Sequence, residues 1–129
     1  MAPDITLRNI ENVPAPVGHY SHTTTAGGLV FISGQLPVAV DGSPRCDAPF
    51  EEQARLVLQN IESCLGCAGV TKQHLVSVRV YITDINLWPL FNKIYAEWIG
   101  EHRPSRAVAG VSQLHYGAAL EVEAVALSE

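Results

Sequence analysis

"PFEEQARLVLQNIESCLGCAGVTKQHLVSVRVYITD" (residues 49–84) changes its period halfway along. In its first part the apolar positions are Phe50, Ala54, Val57, Leu58, Ile61, Cys64, Leu65 and Ala68. Spacings of three and four mark one face of a helix. From Leu75 onward, Val76, Val78, Val80 and Ile82 alternate with Ser77, Arg79, Tyr81 and Thr83. That is the period of a strand with one face in a core. Asp47 is the expected N-cap of the helix, Glu51 and Glu52 suit its first turn, and Gly69 suits its end.

Working outward, "NLWPLFNKIYAEWIGEH" (86–102) returns to helical spacing through Leu87, Phe91, Ile94 and Trp98. Asn86 can cap it, and Pro89 is tolerated in the first turn. Strands are expected over Ser105–Val111 and Ala119–Leu127. The second places Leu120, Val122, Ala124 and Ala126 on one face and Glu121 and Glu123 on the other. Upstream, Ile5–Asn9 reads as a short strand and "ENVPAPVGHY" (11–20) as an extended loop. Gly27-Gly28 is a hairpin turn between β-rich runs, and residues 39–49 form a surface loop. The order is ββ(β)-α-β-α-ββ, and two amphipathic helices on one face of a single sheet is the economical solution, an α+β fold. The other sheet face is then uncovered. It is expected to carry Val30, Ile32, Tyr81, Val125 and Leu127, and an apolar patch of that kind marks an interface. A homo-oligomer with its sheets packed inward is expected.

A chain of 129 residues with 47% hydrophobic residues supports one domain over 1–129 and excludes a disordered chain. Eight Lys and Arg against 13 Asp and Glu, a net charge of -5, argue against nucleic acid as a partner. No apolar run reaches the roughly 18 residues of a membrane span. "MAPDITLRN" has no basic segment leading into an apolar run, so no secretory signal is expected. Three cysteines cannot all pair within the chain, and free thiols in a reducing, cytoplasmic setting are the simplest reading.

Cys64 and Cys67 have C-x-x-C spacing, but they lie towards the C-terminal end of a helix, without a second pair. They read as helix-packing cysteines. His19, His22, His74, His102 and His115 form no metal-binding spacing, and no phosphate loop or G-x-S-x-G motif is present. Neither a metal nor a cofactor is expected. The unusual residue is Arg106 in "HRPSRAVAGV" (102–111), a guanidinium at the mouth of a strand of small residues. On composition alone it reads as a strand-end arginine paired with Glu121 or Glu123, and Glu121 as a solvated strand position. A buried arginine wants an anion, supplied by protein or by ligand.

The chain resembles the RidA/YjgF family of reactive intermediate deaminases. The resemblance runs through "APVGHYSHTTTAGGLVFISGQLPV", the 53–99 segment, "RPSRAVAGV" and "LEVEAVAL". It lies in the ordered combination of G-x-Y-S, SGQ-x-P, N-x-x-Y, P-x-R and E-x-E-A-x-A. It implies a chorismate-mutase-like α+β fold, a homotrimer with sheets packed into a central barrel, and sites between subunits. It further implies that Arg106 binds the substrate carboxylate and that Glu121 holds a water, with Tyr20, Ser33 and Asn92 contacting substrate. The implied reaction is hydrolysis of 2-imino and 2-enamino acids, such as 2-aminoacrylate, to 2-oxo acids and ammonia. A non-catalytic metabolite-binding module and a ribonuclease are the alternatives. The chain departs from the family at Gly18-His19-Tyr20, Ser21-His22 and Leu114-His115-Tyr116, where polar, titratable side chains replace the usual residues.

Overall fold

A computed structural model describes residues 3–129. Strands β1 (Thr6–Arg8), β2 (Thr23–Ala26) and β3 (Leu29–Gln35) precede helix α1 (Phe50–Cys67). Strand β4 (Leu75–Ile82), helix α2 (Trp88–Ile99), β5 (Ser105–Gly110) and β6 (Leu120–Leu127) follow. The strands form one sheet in the order β1-β2-β3-β6-β4-β5. Only β4 and β5 pair in parallel, so the chain between them must cross over, and α2 is that crossover. The last strand slots antiparallel between β3 and β4.

Alternation along β6 decides what the sheet presents. Leu120, Val122, Ala124 and Ala126 are buried, and they meet Ala54, Val57, Leu58, Ile61, Cys64 and Leu65 of α1. From α2 come Phe91, Ile94, Tyr95 and Ile99. Trp98, expected on the stripe, packs at its margin, where its Nε1 donates to Glu62 at 3.0 Å. Leu29, Phe31, Tyr81, Val125 and Leu127 occupy the opposite face, with Phe31 and Leu127 almost half exposed.

Four local expectations are corrected. Val30 and Ile32 belong to the core, because the hairpin register pairs them with Ala126 and Ala124 on the helix side. Their neighbours Leu29 and Phe31 take the open face instead. Val76 is exposed and Leu75 takes its core position, since the β4–β6 register slips between Leu75 and Ser77. The N-cap of α1 is Pro49, not Asp47, and it supplies no side-chain bond. Asn86 does not cap α2. It lies in a 3-10 turn (Ile85–Leu87) whose first amides are satisfied by Asp84, with the Asn86 N–H donating to its carboxylate at 3.0 Å. No helix among the described residues is long and apolar enough to cross a membrane.

One buried polar side chain ties three segments together. Gln53, on α1, donates through Nε2 to the carbonyls of Cys46 and Ala48 at 3.1 and 2.8 Å. Its Oε1 accepts from the Ala119 N–H at 3.0 Å, at the start of β6. Gln53→Leu fills the same space but strands those groups. It is expected to cost about 2–3 kcal/mol, read as a lower urea midpoint; an unchanged midpoint would show that water replaces the amide.

Candidate functional site

The sequence-derived candidates fall into two groups on opposite sides of the sheet. Arg106 lies on edge strand β5 in register with the buried Val78, so its side chain turns to the helix side. There Nη1 donates to Asn92 Oδ1 at 2.8 Å, and the guanidinium carbon sits 4.9 Å from the Tyr95 ring centroid. Asn92 and Tyr95 are three apart on α2, hence on one helix face. The arginine is thus held by an aromatic ring and by one of its nitrogens, and no other side-chain hydrogen bond to it occurs among the described residues. Tyr95 was not singled out from the sequence. Its signal was the N-x-x-Y spacing itself, which carries a second partner for the same arginine. Ile85, Trp88 and Val108 wall the hollow around Arg106. No carboxylate lies within ion-pair distance of Arg106 among the described residues, so the pairing with Glu121 or Glu123 considered from composition does not form.

Glu121 pairs with Tyr81 in the ladder and faces the open side of the sheet. Its carboxylate is aimed at the end of β3. A Cβ on Gly34 would lie 2.5 Å from Glu121 Oε2 and 2.9 Å from Cδ. The glycine of the SGQ segment is therefore the space in which this carboxylate sits. The β3–β6 register shifts between Ile32 and Gln35, and this bulge brings Ser33 and Gly34 to the site. Ser33 Oγ donates to the Ser21 carbonyl at 2.7 Å, and the Ser33 carbonyl accepts from Gln35 Nε2 at 3.0 Å. Glu123, the next residue on this face, is held by the Tyr81 hydroxyl.

Tyr20, His115 and Tyr116 complete the Glu121 side. The His115 and Tyr116 rings meet edge to face with centroids 4.0 Å apart. Tyr116 has φ 65, a left-handed conformation that costs energy for an aromatic residue and occurs at functional turns. Partial burial raises the Tyr20 phenol above its ordinary value, and the nearby Glu121 charge raises it further. Glu121 is itself raised, by burial first and then by Glu123, with His115 pulling it back down. His22 is lowered by burial, and its Nδ1 accepts from the Ile10 N–H at 3.0 Å. His19 is exposed and takes no part.

Cys64 is buried in the core, and burial pushes its thiol up to about 12, so it is a packing group. Among the described residues no three His, Cys, Asp or Glu side chains gather as a metal-holding group.

This arrangement has relatives. The family model described as Endoribonuclease L-PSP matches residues 10–128. A RutC family protein of Pyrococcus horikoshii is 37% identical over 119 residues, 92% of this chain and 94% of that protein. The Escherichia coli protein named "Putative reactive intermediate deaminase TdcF" is 32% identical, covering 91% of this chain and 92% of its own. The crystal structure of E. coli TdcF with bound serine matches with a TM-score of 0.87 at 31% identity, over 95% of this chain and 98% of that one. A yeast crystal structure matches with a TM-score of 0.92 at 32% identity, over 97% and 99%.

A half-buried carboxylate with a raised pKa weakens the fold when it ionises. Glu121 takes up its proton at higher pH folded than unfolded, so its contribution is fully present below the ordinary 4.5 and is lost as pH rises through the folded value. Glu121→Gln is expected to melt above the wild type at neutral pH and together with it below pH 4.5. A variant that melts lower at neutral pH would show that the carboxylate has a stabilising partner.

Proposed function

This chain belongs to the RidA/YjgF family, and on that premise we propose that it hydrolyses small 2-imino acids and their enamine tautomers, of the 2-aminoacrylate type, to 2-oxo acids and ammonia. The observation that carries the reading is Arg106. A partly buried, permanently charged fork is held by a neutral amide and an aromatic face and, among the described residues, has no anion beside it. Such a group is poised for a carboxylate, which it binds bidentately. Serine, the ligand in the TdcF crystal, carries both a carboxylate and a nitrogen on its α-carbon, as a 2-imino acid does.

Arg106 and Glu121 project from opposite faces of the sheet, so one small substrate meets both only if two copies of the chain build the site. The open face, with Leu29, Phe31, Val125 and Leu127, is the surface that a second copy covers. Joining the Arg106 side of one copy to the Glu121 side of the next is a heterologous contact. Three such contacts close into a homotrimer with the sheets inside.

In that site Arg106 fixes the carboxylate and thereby the plane of the C=N bond. Asn92 acts through the arginine, holding one nitrogen so that the remaining edge is free. The Ser33 hydroxyl spends its hydrogen on Ser21 and offers a lone pair to the iminium N–H. Glu121 holds the water and takes its proton as oxygen adds to the imine carbon. The carboxyl returns that proton to the nitrogen, the C–N bond breaks as ammonia departs, and the carboxylate takes the remaining hydroxyl proton, leaving the 2-oxo acid. Tyr20 donates to this carboxylate or to the adding oxygen. The iminium is already electrophilic, so orientation supplies most of what is needed and no cofactor is called on. A cytoplasmic setting goes with this reading, since the three free cysteines would stay reduced there.

The description of the matching family model makes a ribonuclease the second reading. The net charge of -5 opposes it, because phosphate backbones need a clustered basic surface.

The test generates 2-aminoacrylate in situ and times its loss. The protein is expected to accelerate the loss, and Arg106→Lys, which keeps the charge but loses the fork, to lower kcat/KM by about 100-fold or more. An Arg106→Lys protein as fast as wild type would remove the clamp from the reading. RNA cleavage abolished by the same substitution, without any imine loss, would favour the ribonuclease.

A further inference from the structure

The loop over residues 10–20 does not lie flat on the fold. It roofs a cavity of about 360 Å³ whose floor is α1 and the chain leaving β3. Small-molecule sites begin at roughly 300 Å³, so the space exceeds what the methylene group of 2-aminoacrylate needs. Its position is informative. Tyr20, Gly34, His115 and Tyr116 line it, and these are the residues that surround Glu121. The cavity therefore opens from the place where the imine carbon would sit.

Its chemistry is equally restricted. Among the described residues no Asp, Glu, Lys or Arg lines it. Three of its polar side chains are committed elsewhere. Asn60 Nδ2 donates to the Leu36 and Val38 carbonyls at 3.1 and 2.9 Å, which also braces the floor. Gln35 Nε2 is bonded to Ser33, and His22 receives the Ile10 amide. The rest of the lining combines hydrocarbon from Val13, Pro16, Leu36 and Val38 with the polar tips of Tyr20, Ser63, His115 and Tyr116. The Arg106 side agrees independently, since Ile85, Trp88 and Val108 surround the guanidinium with apolar walls. A charged side chain on the substrate would find no Asp, Glu, Lys or Arg among the described residues of the cavity to pair with, and a methyl group would leave the cavity unfilled.

We propose that this cavity is the side-chain subsite of the imine site, and that the chain selects 2-imino acids with branched aliphatic or aromatic side chains over 2-aminoacrylate and over acidic ones. The selection rests on the deaminase reading above, and it can fail while that reading stands. Upstream, the substrate must come from an oxidase- or dehydrogenase-type reaction, in which an oxidant takes two electrons, the α-hydrogen and one N–H hydrogen from a bulky apolar amino acid.

The test measures calorimetric Kd values for three stable 2-oxo acids: pyruvate, 4-methyl-2-oxopentanoate and 2-oxoglutarate. The branched acid is expected to bind about tenfold or more tighter than pyruvate, from the extra apolar groups it buries, and 2-oxoglutarate more weakly than either. Ser63 lies on an exposed turn of α1 and lines the cavity. Ser63→Phe, which fills the space, should bring the ratio of the first two Kd values close to one, whereas Ser63→Ala should preserve the preference. Equal binding of pyruvate and the branched acid by wild type, lost in Arg106→Lys, would overturn the subsite and leave the deaminase reading intact. A preference that survives Ser63→Phe would also overturn it. Failure of all three acids to bind, with no loss of any imine, would overturn both.

Discussion

Strand β6 is the constraint on which the rest depends. It is hydrogen-bonded on both edges, to β3 and to β4, so its register cannot slip without breaking two ladders. Its period of two commits Leu120, Val122, Ala124 and Ala126 to the helices and sends Glu121, Glu123 and Val125 to the other face. A carboxylate is thus fixed on a rigid central strand, where a loop would leave it mobile. The bulge at Ser33 and Gly34 on the adjacent strand opens room for it. Gln53 pins the backbone two residues earlier. Core packing and site geometry are, at this strand, the same interaction seen from two faces.

The two charged groups are handled differently. Arg106 sits on an edge strand, the least constrained place in a sheet, and is compensated by a stack and an amide bond from α2. Lysine in its place would keep the charge but lose both fits. Glu121 is held by space instead of by a cation, and its raised pKa is the sign that ionising it is unfavourable there. A carboxylate and a guanidinium that each lack an opposite charge beside them, among the described residues, are costly separately. They make sense as the two ends of a binding site whose ligand carries the matching charges. The strained Tyr116 backbone belongs to the same pattern, in which local cost gathers where the chemistry would be.

Much of this was legible in the sequence because it rests on periodicity. The helical stripe ending near Leu65, the alternation in β4 and β6, and the Gly27-Gly28 turn each gave the right element. The failures were at points where one residue breaks a period. Val76 fell to the wrong face because a bulge displaces it, and Val30 and Ile32 were misassigned because hairpin register cannot be read from one strand alone. Asp47 and Asn86 looked like caps by residue type, yet the cap position falls two residues later in α1, at Pro49, and one residue later in α2, at Leu87. Of the candidate site, Arg106 and Asn92 do meet, and Tyr20 does lie near Glu121. The separation of the two groups onto opposite faces was invisible, since spacing gives the face of a strand but not where an edge side chain finds its partners. The cavity under the 10–20 loop was invisible for a related reason: it is enclosed by long-range contacts such as Asn60 with Leu36 and Val38.

The central claim is that no single chain holds a complete site. Subunit mixing tests it most directly. Arg106→Ala and Glu121→Gln chains, each assembled alone, lack one half of every site. Unfolded together in equal amounts and refolded, they should regain about a quarter of the wild-type imine hydrolysis, because random closure of a ring places an intact arginine against an intact glutamate at that frequency. A mixture no more active than either parent would contradict the account and return the site to a single chain.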